Sequence, residues 1–323
     1  MFDKYLYALG RGVRGVKKAL AEAGEADPAE AARDITPAQQ PAAPVRALAP
    51  ARVPLRLGER TLIMGVVNVT PDSFSDGGRW FDPEAAIAHG KRLAAEGADI
   101  LDVGGESTRP GAAAVTVEEE IARVVPVIRA LAASVSAPIS IDTMKAPVAR
   151  AALEAGASVV NDVWGFQFDP DIARVAADAG ALCVLMHNRR EDDASIDVFG
   201  EVCDFLSRSL DIALAAGVAR ERIVLDPGIG FGKTHAQSFE LIRRLPELKA
   251  RFALPVLLGA SRKRCIGVAS GVQTAGDRVA GSVAAHLYGA MHGADIVRVH
   301  DVAEHRQALG VVRAIQGRHG DIA

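Results

Sequence analysis

The residues best suited to chemistry lie in short polar segments, each of which directly follows an apolar run. Carboxylate, amide and cationic side chains occupy these positions, among them Asp142, Asn161, Asp226, Lys263, Arg298 and His300. One such Asp or Asn commonly caps the helix that follows it. Several that converge on one surface would instead bind a polar ligand, because carboxylates accept from N–H groups and cations donate to oxygen atoms.

Eight short apolar runs precede these polar segments and predict strands. They span Leu62–Val69, Asp99–Val103, Pro138–Ile141, Ser158–Val160, Leu182–Met186, Arg222–Leu225, Pro255–Leu258 and Ile296–Val299. The segments between them are long enough for helices, and one carries apolar residues at helical spacing from Ile121 to Leu131. Apolar strands that alternate with helices are typical of a parallel sheet buried on both faces.

The distribution of the polar segments favours a closed (β/α)8 TIM barrel over an open doubly wound sheet. A barrel places its chemistry on the loops after all eight strands, whereas an open sheet concentrates it at one switch point. Here almost every apolar run ends in a polar or glycine-rich signature. We therefore predict a barrel over residues 51–323.

Composition argues against a nucleic-acid partner, a membrane span, disulfide bonds and a zinc site. The chain has 37 Lys and Arg against 40 Asp and Glu, and this balance gives no basic footprint for nucleic acid. No apolar stretch approaches the roughly 20 residues that a membrane span needs. Three scattered cysteines do not suggest disulfides or zinc. We therefore expect a cytoplasmic protein with neither a nucleic-acid partner nor a membrane span.

Residues 1–50 differ from the rest of the chain and predict an N-terminal extension. Prolines crowd their second half, which is typical of a linker. The first half could form a basic amphipathic helix, either solvated or touching a membrane or a partner. Its GRGVRG segment (residues 10–15) matches a dinucleotide-binding fingerprint only in letters, because no convincing buried strand precedes it.

Five motifs in one order resemble the dihydropteroate synthase family. They are NVTPDSFSDGG (68–78), DVGGESTRPGA (102–112), LDPGIGFGK (225–233), SRK (261–263) and RVH (298–300). The resemblance covers roughly residues 55 to 315. It implies a (β/α)8 barrel that joins 6-hydroxymethyl-7,8-dihydropterin pyrophosphate to p-aminobenzoate, releasing pyrophosphate.

The resemblance assigns the pterin contacts. Asp226 would accept two parallel hydrogen bonds from the amino group and ring N–H of the pterin, with Asp142 and Asn161 completing the slot. Lys263 would donate to the ring from the opposite side. Arg298 would stack on the pterin and, with His300, reach the pyrophosphate.

The remaining implied roles fall on the first two loops and on a metal ligand. Asn68 resembles the Mg²⁺ ligand, and one amide oxygen can suffice because magnesium takes phosphate oxygens and water as further ligands. Asp76 would stabilise a pterin-methyl cation, and Thr108 would contact the pyrophosphate. Arg109, Met186 and Phe231 are further implied substrate contacts. The family also suggests a homodimer.

One position departs from the family pattern, and three rival functions remain. Arg264 replaces a small hydroxyl residue and could pair with the aminobenzoate carboxylate or face solvent. A P-loop NTPase would need glycine where the chain has Pro227. A pterin-dependent methyltransferase would share the barrel and the pterin carboxylates but not the pyrophosphate contacts. A catalytically weak pterin-binding paralogue is the third alternative.

Overall fold

The computed structural model describes residues 57–70, 82–107 and 113–317, which contain a ring of eight parallel strands. The strands are β1 (Leu62–Asn68), β2 (Ile100–Gly104), β3 (Ile139–Asp142), β4 (Val159–Asp162), β5 (Leu182–Met186), β6 (Ile223–Asp226), β7 (Leu257–Leu258) and β8 (Ile296–Val299). Each predicted apolar run overlaps one of them, and β2, β3, β4 and β6 extend one or two residues beyond their runs. The predicted extension, residues 1–50, lies outside the described residues.

Helices follow the strands along the chain. They are α1 (Pro83–Ala95), α2 (Val117–Ser134), α3 (Ala146–Ala155), α4 (Asp171–Ala179), α5 (Val198–Ala215), α6 (His235–Arg243), α7 (Leu245–Phe252), α8 (Arg264–Ser270), α9 (Val279–Met291) and α10 (Val302–Ile315). Short 3₁₀ turns lie at Arg220–Arg222 and Ala275–Arg278. Within the described ranges, no helix is both long and apolar enough to cross a membrane.

The strands close into a barrel. The hydrogen-bonded order runs β6-β5-β4-β3-β2-β1-β8-β7, and every pairing is parallel. A parallel bridge between Leu225 and Val256 links the two ends of this order, and the Leu225 N–H donates to the Pro255 carbonyl at 2.9 Å. The prediction of a (β/α)8 barrel is confirmed.

Alternate residues of each strand pack into two separate apolar layers. Met64 and Ile100 belong to a small cluster inside the barrel, whereas their neighbours Ile63 and Leu101 belong to the large cluster between the strands and the helices. Successive strand residues point to opposite faces, so a strand buried on both faces is apolar at almost every position. The continuous apolar runs of the sequence have this cause.

The helices begin where side chains satisfy their first backbone N–H groups. Asp82, Thr116 and Asp197 each accept from the first turn of the helix that follows. Thr234 and Gln237 form a reciprocal capping box at the start of α6. Each cap fixes the point at which a loop after a strand becomes a helix, and therefore the length of that loop.

A buried carboxylate joins β7 to β8 at the base of the barrel. Asp295, which immediately precedes β8, accepts from the Val256 backbone N–H at 2.9 Å and from the Lys249 ammonium at 2.8 Å. Lys249 lies on α7 and also donates to the Gly293 carbonyl. Because β7 has only two residues, this carboxylate supplies a large share of the polar contacts that hold it in the ring.

Replacing Asp295 with alanine should therefore destabilise the barrel. The Val256 N–H would be left buried without an acceptor, and this costs about 1 to 3 kcal/mol. Urea unfolding measures the loss. Asp178→Ala, which removes an exposed pair with Arg174, is the matched control and should change the unfolding free energy by less than about 0.5 kcal/mol. Equal losses in the two variants would contradict this role for Asp295.

Candidate active site at the carboxyl end of the barrel

The apolar interior of the barrel gives way to a polar layer at the carboxyl ends of the strands. Two-residue steps along the strands lead from interior apolar residues to polar ones, because every second residue faces the same side. Ile100 is thus followed by Asp102, Val224 by Asp226, and Ile296 by Arg298. Asn161 follows Val159 in the same way, Asn68 lies four residues beyond Met64 on the same face of β1, and the apolar Met186 follows Val184.

Arg298 lies at the centre of this layer and connects opposite parts of the ring. Its Nε donates to Asp102 Oδ2 at 2.6 Å, and its Nη2 donates to Asp142 Oδ2 at 2.7 Å. Asn161 Nδ2 also donates to Asp102 Oδ2, at 3.0 Å. β1 and β2 separate β8 from β3, so the bond from Arg298 to Asp142 crosses the mouth of the barrel.

Burial and shared charge set the protonation of this cluster. Burial raises the pKa of Asp142 to about 7; the positive charge of Arg298 opposes this shift and the neighbouring Asp102 carboxylate adds to it. The same two carboxylates raise the pKa of Arg298 despite its burial. The guanidinium therefore stays charged, while Asp142 can gain or lose a proton near neutral pH.

Asp226 is buried beside this cluster, with one oxygen already committed. Its Oδ1 accepts from the Gly228 N–H at 2.7 Å. Burial raises its pKa, and the positive charge of Lys263 opposes that shift. A methyl group built on Gly259 would lie 3.7 Å from Asp226 Oδ2 and 3.9 Å from Arg298 Cβ. Glycine at position 259 thus leaves space between the carboxylate and the arginine.

Lys263 faces the same region from the loop after β7. Its ammonium donates to the Ile229 carbonyl and lies 4.5 Å from the centre of the Phe231 ring. Burial lowers its pKa to about 8, although the Asp226 carboxylate acts in the opposite direction. The site thus holds a carboxylate and an ammonium whose charged forms are both disfavoured by burial.

The segment between Asp226 and Lys233 explains why the chain carries a Gly-Lys-Thr signature without being a P-loop. A side chain at Gly228, where φ is +68°, would collide with the His187 carbonyl oxygen, so the glycine permits close backbone approach. Lys233 is buried and lies 2.6 Å from His187 Nδ1 and 2.9 Å from the Phe231 carbonyl. Its ammonium therefore points into the protein and fixes the loop.

A second, partly buried ion cluster links the end of β2 to the start of α2. The Lys145 ammonium donates to Glu106 at 2.8 Å, to Glu120 at 2.7 Å and to the Val115 carbonyl at 2.6 Å. Burial acts to lower the pKa of Lys145, but the bonds to the two carboxylates outweigh it, so the pKa is raised. The cluster thus holds Glu106, just after β2, and Val115, just before α2, beside Lys145 at the start of α3.

The structure brings together most of the residues predicted from sequence. Asp142, Asn161, Asp226, Lys263 and Arg298 share the mouth of the barrel. His300 lies two residues beyond Arg298, with its Nδ1 at 2.9 Å from Ser261 Oγ, and Phe231 underlies Lys263. The predicted residues Asp76, Thr108 and Arg109 lie outside the described residues.

Sequence reasoning missed Asp102 as a site residue and missed Lys145, Glu106 and Glu120 as anchors. A signal for Asp102 was available, because an acid two positions after Ile100 on an apolar strand must face the barrel interior. Lys145, Glu106 and Glu120 lie far apart in sequence, on two loops and a helix. No local pattern could have grouped them.

Comparison with known proteins agrees with this geometry. The sequence pattern of the pterin binding enzymes matches residues 64–300. The dihydropteroate synthase of Clostridium beijerinckii is 49% identical over 263 residues, which cover 81% of this chain and 97% of that protein. The Bacillus subtilis dihydropteroate synthase is 44% identical over 262 residues, covering 81% of this chain and 91% of that protein.

Solved structures show the same similarity. Xanthomonas albilineans dihydropteroate synthase with 4-aminobenzoic acid is 51% identical, with a TM-score of 0.77 over 80% of this chain and 93% of that one. The identity, the coverage and the shared barrel show that this chain belongs to the dihydropteroate synthase family of pterin-binding enzymes.

Proposed function

We propose that this protein condenses 6-hydroxymethyl-7,8-dihydropterin pyrophosphate with p-aminobenzoate to give 7,8-dihydropteroate and pyrophosphate. The observation that carries the proposal is the convergence of Asp226, Lys263 and Arg298 at the mouth of the barrel. Structures of the Xanthomonas albilineans enzyme with 4-aminobenzoic acid and with 7,8-dihydropteroate support the assignment of substrate and product.

The polar slot suits the edge of a pterin. Asp226 Oδ2 can accept from the pterin's amino group and ring N–H, while Oδ1 stays bonded to the Gly228 N–H. The Asn161 amide N–H donates to Asp102. Its side-chain oxygen is therefore left as a further acceptor for the pterin. Lys263 supplies the donor for the pterin's oxygen and nitrogen acceptors. Donors and acceptors of the ring are thus matched on two sides.

Arg298 is suited to bind the leaving group. A guanidinium has five N–H donors, and the bonds to Asp102 and Asp142 use two of them. The other three remain for pyrophosphate oxygens, while the planar face of the guanidinium can stack on the pterin. Both carboxylates hold the planar group in one orientation, so little side-chain entropy is lost when the substrate binds. His300 extends the same surface.

Asn68 fits the expected magnesium site as its single protein ligand. It is half-buried at the end of β1, and no group of three or more His, Cys, Asp or Glu side chains in the described part of the chain could hold an ion. One amide oxygen at the mouth suits an ion whose other ligands are phosphate oxygens and water. Bound there, Mg²⁺ would offset charge on the pyrophosphate.

The reaction needs charge stabilisation more than proton transfer. The bond between the pterin methyl carbon and the pyrophosphate oxygen breaks, and both electrons leave with pyrophosphate. The aminobenzoate nitrogen attacks that carbon and then releases one proton. Arg298 lies where negative charge on the leaving group would develop, Lys263 can donate to the ring's acceptor atoms, and Asp76 remains the predicted partner of the pterin-methyl cation.

A methyltransferase would use the same pterin slot, but the relatives favour the synthase. Arg264, the position that departs from the family pattern, is exposed at the start of α8. It can reach the aminobenzoate carboxylate only from solvent. We therefore assign the pterin contacts to the polar layer of the barrel and treat Arg264 as a peripheral contact.

We also propose that the protein is a homodimer that associates through α9. This helix is almost entirely apolar, yet it turns Ser282, His286 and Gly289 towards the protein interior. Tyr288 and Met291 are exposed, as is Val311 on the adjacent α10. A helix that is apolar on its outer face is stable in water when a second surface covers it. A second copy offers that surface.

Asp226→Asn tests the pterin slot. The Asn carbonyl would keep the bond from the Gly228 N–H, so its amino group would face the pterin's own donors. We expect binding of 6-hydroxymethylpterin to weaken by about 2 to 4 kcal/mol, measured by calorimetry. Asp211→Asn on the exposed face of α5 is the control. Unchanged affinity for Asp226→Asn would remove Asp226 from the slot.

The lowered pKa of Lys263 predicts that pterin affinity depends on pH. Its pKa of about 8 leaves the ammonium charged below that pH and neutral above it. If the ammonium donates to the pterin, the contribution of Lys263 to affinity should be fully present below pH 8 and be lost as pH rises through 8. Lys263→Arg keeps its charge and should lose this dependence, so the variant corrects for titration of the ligand itself. Identical profiles would exclude the lysine.

Substitutions on α9 test the dimer. Tyr288→Glu combined with Met291→Glu places two charges on the apolar face and should give a monomer in sedimentation experiments, whereas we expect the unmodified protein to sediment as a dimer. Leu214→Glu introduces a charge at an exposed leucine of α5 and should leave the dimer intact. A monomeric unmodified protein would refute the proposal directly.

A further inference from the structure

Two buried histidines outside the polar layer form a continuous hydrogen-bonded chain. The Ala260 backbone N–H donates to His286 Nε2 at 3.0 Å, and His286 Nδ1 lies 2.8 Å from His305 Nε2. His305 Nδ1 lies 2.6 Å from the Asp301 carbonyl oxygen. His286 belongs to α9 and His305 to α10, and both side chains are fully buried.

The end groups of this chain determine the proton positions. The Ala260 N–H is a donor, so His286 Nε2 must accept and carry no proton. His286 then carries its proton on Nδ1 and donates to His305 Nε2. The Asp301 carbonyl can only accept, so His305 carries its proton on Nδ1. Both rings must be neutral, because a proton added to either acceptor nitrogen would oppose another donor.

Burial favours the neutral forms that the chain requires. It lowers the pKa of His286 well below its usual value, and the positive charge of Lys263 acts in the same direction. Burial also lowers the pKa of His305, although the hydrogen bond to the Asp301 carbonyl and the charge of the Asp301 carboxylate act to raise it. The geometry and the protonation therefore agree at neutral pH.

The chain connects the two loops that carry the cations of the site. Ala260 lies in the loop that ends in Lys263, and Asp301 directly follows His300. Shorter links run beside the chain: Ser261 Oγ accepts from the His300 N–H at 3.2 Å, and Arg262 Nε bonds Asp301 at 3.0 Å. The histidine pair reinforces these links from within the protein, where water cannot compete.

The helix α9 adds a second contact one turn before His286. Ser282 Oγ accepts from the Arg262 backbone N–H at 2.9 Å. Arg262 has a left-handed backbone, with φ of +58°, which costs free energy in a non-glycine residue. Ser282 and His286 together hold the backbone of residues 260 and 262 against α9, immediately before Lys263. Their partners fix the point from which the lysine side chain departs.

We propose that His286 and His305 are positioning residues, which hold the loop after β7 against the loop after β8 so that Lys263, Arg298 and His300 converge on the pterin pyrophosphate. This role rests on the proposed synthase function. Neither histidine touches the substrate; each acts through the backbone of residue 260 or 301. An apolar pair of the same volume would pack there but would not fix the distance between the two loops.

The proton positions can be tested without any activity. Two-dimensional ¹H–¹⁵N spectra of the imidazole groups distinguish the two neutral tautomers, and His286→Asn and His305→Asn assign the signals. We expect both rings to carry the proton on Nδ1 at pH 7. A proton on Nε2 of His286, or a charged ring at either position, would overturn the proposed chain.

The functional role is tested by two replacements of His305. Leucine fills the space without hydrogen bonds, and we expect it to raise the KM for the pterin pyrophosphate about tenfold. Glutamine can accept from His286 and donate to Asp301, so its KM should stay within about twofold of the original value. Equal KM values in the two variants would overturn the proposal.

Leu309→Ala provides the matched control for stability. Leu309 is buried one turn after His305 on the same helix, so its loss loosens α10 without breaking the polar chain. We expect lower thermal stability with an unchanged KM. A KM that rises as far as in His305→Leu would show that helix packing, rather than the histidine chain, controls the site.

A double variant separates one connected chain from two independent contacts. His286→Leu alone and His286→Leu with His305→Leu should raise the KM by the same factor, because either change breaks the whole chain. If the KM of the double variant rises by the product of the two single increases, the contacts are independent and the proposal is contradicted. If the unmodified protein forms no dihydropteroate, the proposed function fails, whereas the spectra still decide whether the chain exists.

Discussion

The bond network of Arg298 is the interaction on which the arrangement of the mouth depends. A guanidinium at the end of a barrel strand must find anionic partners, because an unpaired charge in a low-dielectric site is costly. Asp102 and Asp142 supply them from β2 and β3. These two ion pairs fix the positions of Arg298, Asp102 and Asp142 before substrate arrives, so substrate binding does not have to order these side chains.

The same pairing sets the electrostatics of the whole layer. Three acids, Asp102, Asp142 and Asp226, share two cations, Arg298 and Lys263. This imbalance is why burial can raise the pKa of Asp142 to about 7. A dianionic or trianionic leaving group would be repelled by the acids alone. The two cations give the mouth the positive side that a pyrophosphate requires, and the proposed divalent ion at Asn68 would add to it.

The fold and most of the site could be predicted because they follow from local patterns. Eight apolar runs with polar ends specify a barrel and the surface where its chemistry lies, and that prediction is confirmed, as is the family. The order of the motifs located Asp226, Lys263 and Arg298, which the structure brings together. Asp102 was missed because it lies within a run that was classified as apolar. The long-range partners of Lys145 and His286 were inaccessible, since only folding brings those residues together.

Three polar networks outside the barrel interior have a common logic; those at Lys233 and His286 are buried, and the one at Lys145 is partly buried. Lys145 with Glu106 anchors the loop after β2, Lys233 with His187 anchors the loop after β6, and His286 with His305 anchors the loops after β7 and β8. Each lies behind the mouth, where packing excludes water and makes an unmatched donor costly. Apolar contacts tolerate small shifts, whereas hydrogen bonds between fixed donors and acceptors do not. Loops that must present charged groups at set distances therefore gain more from buried polar anchors than from a larger apolar core.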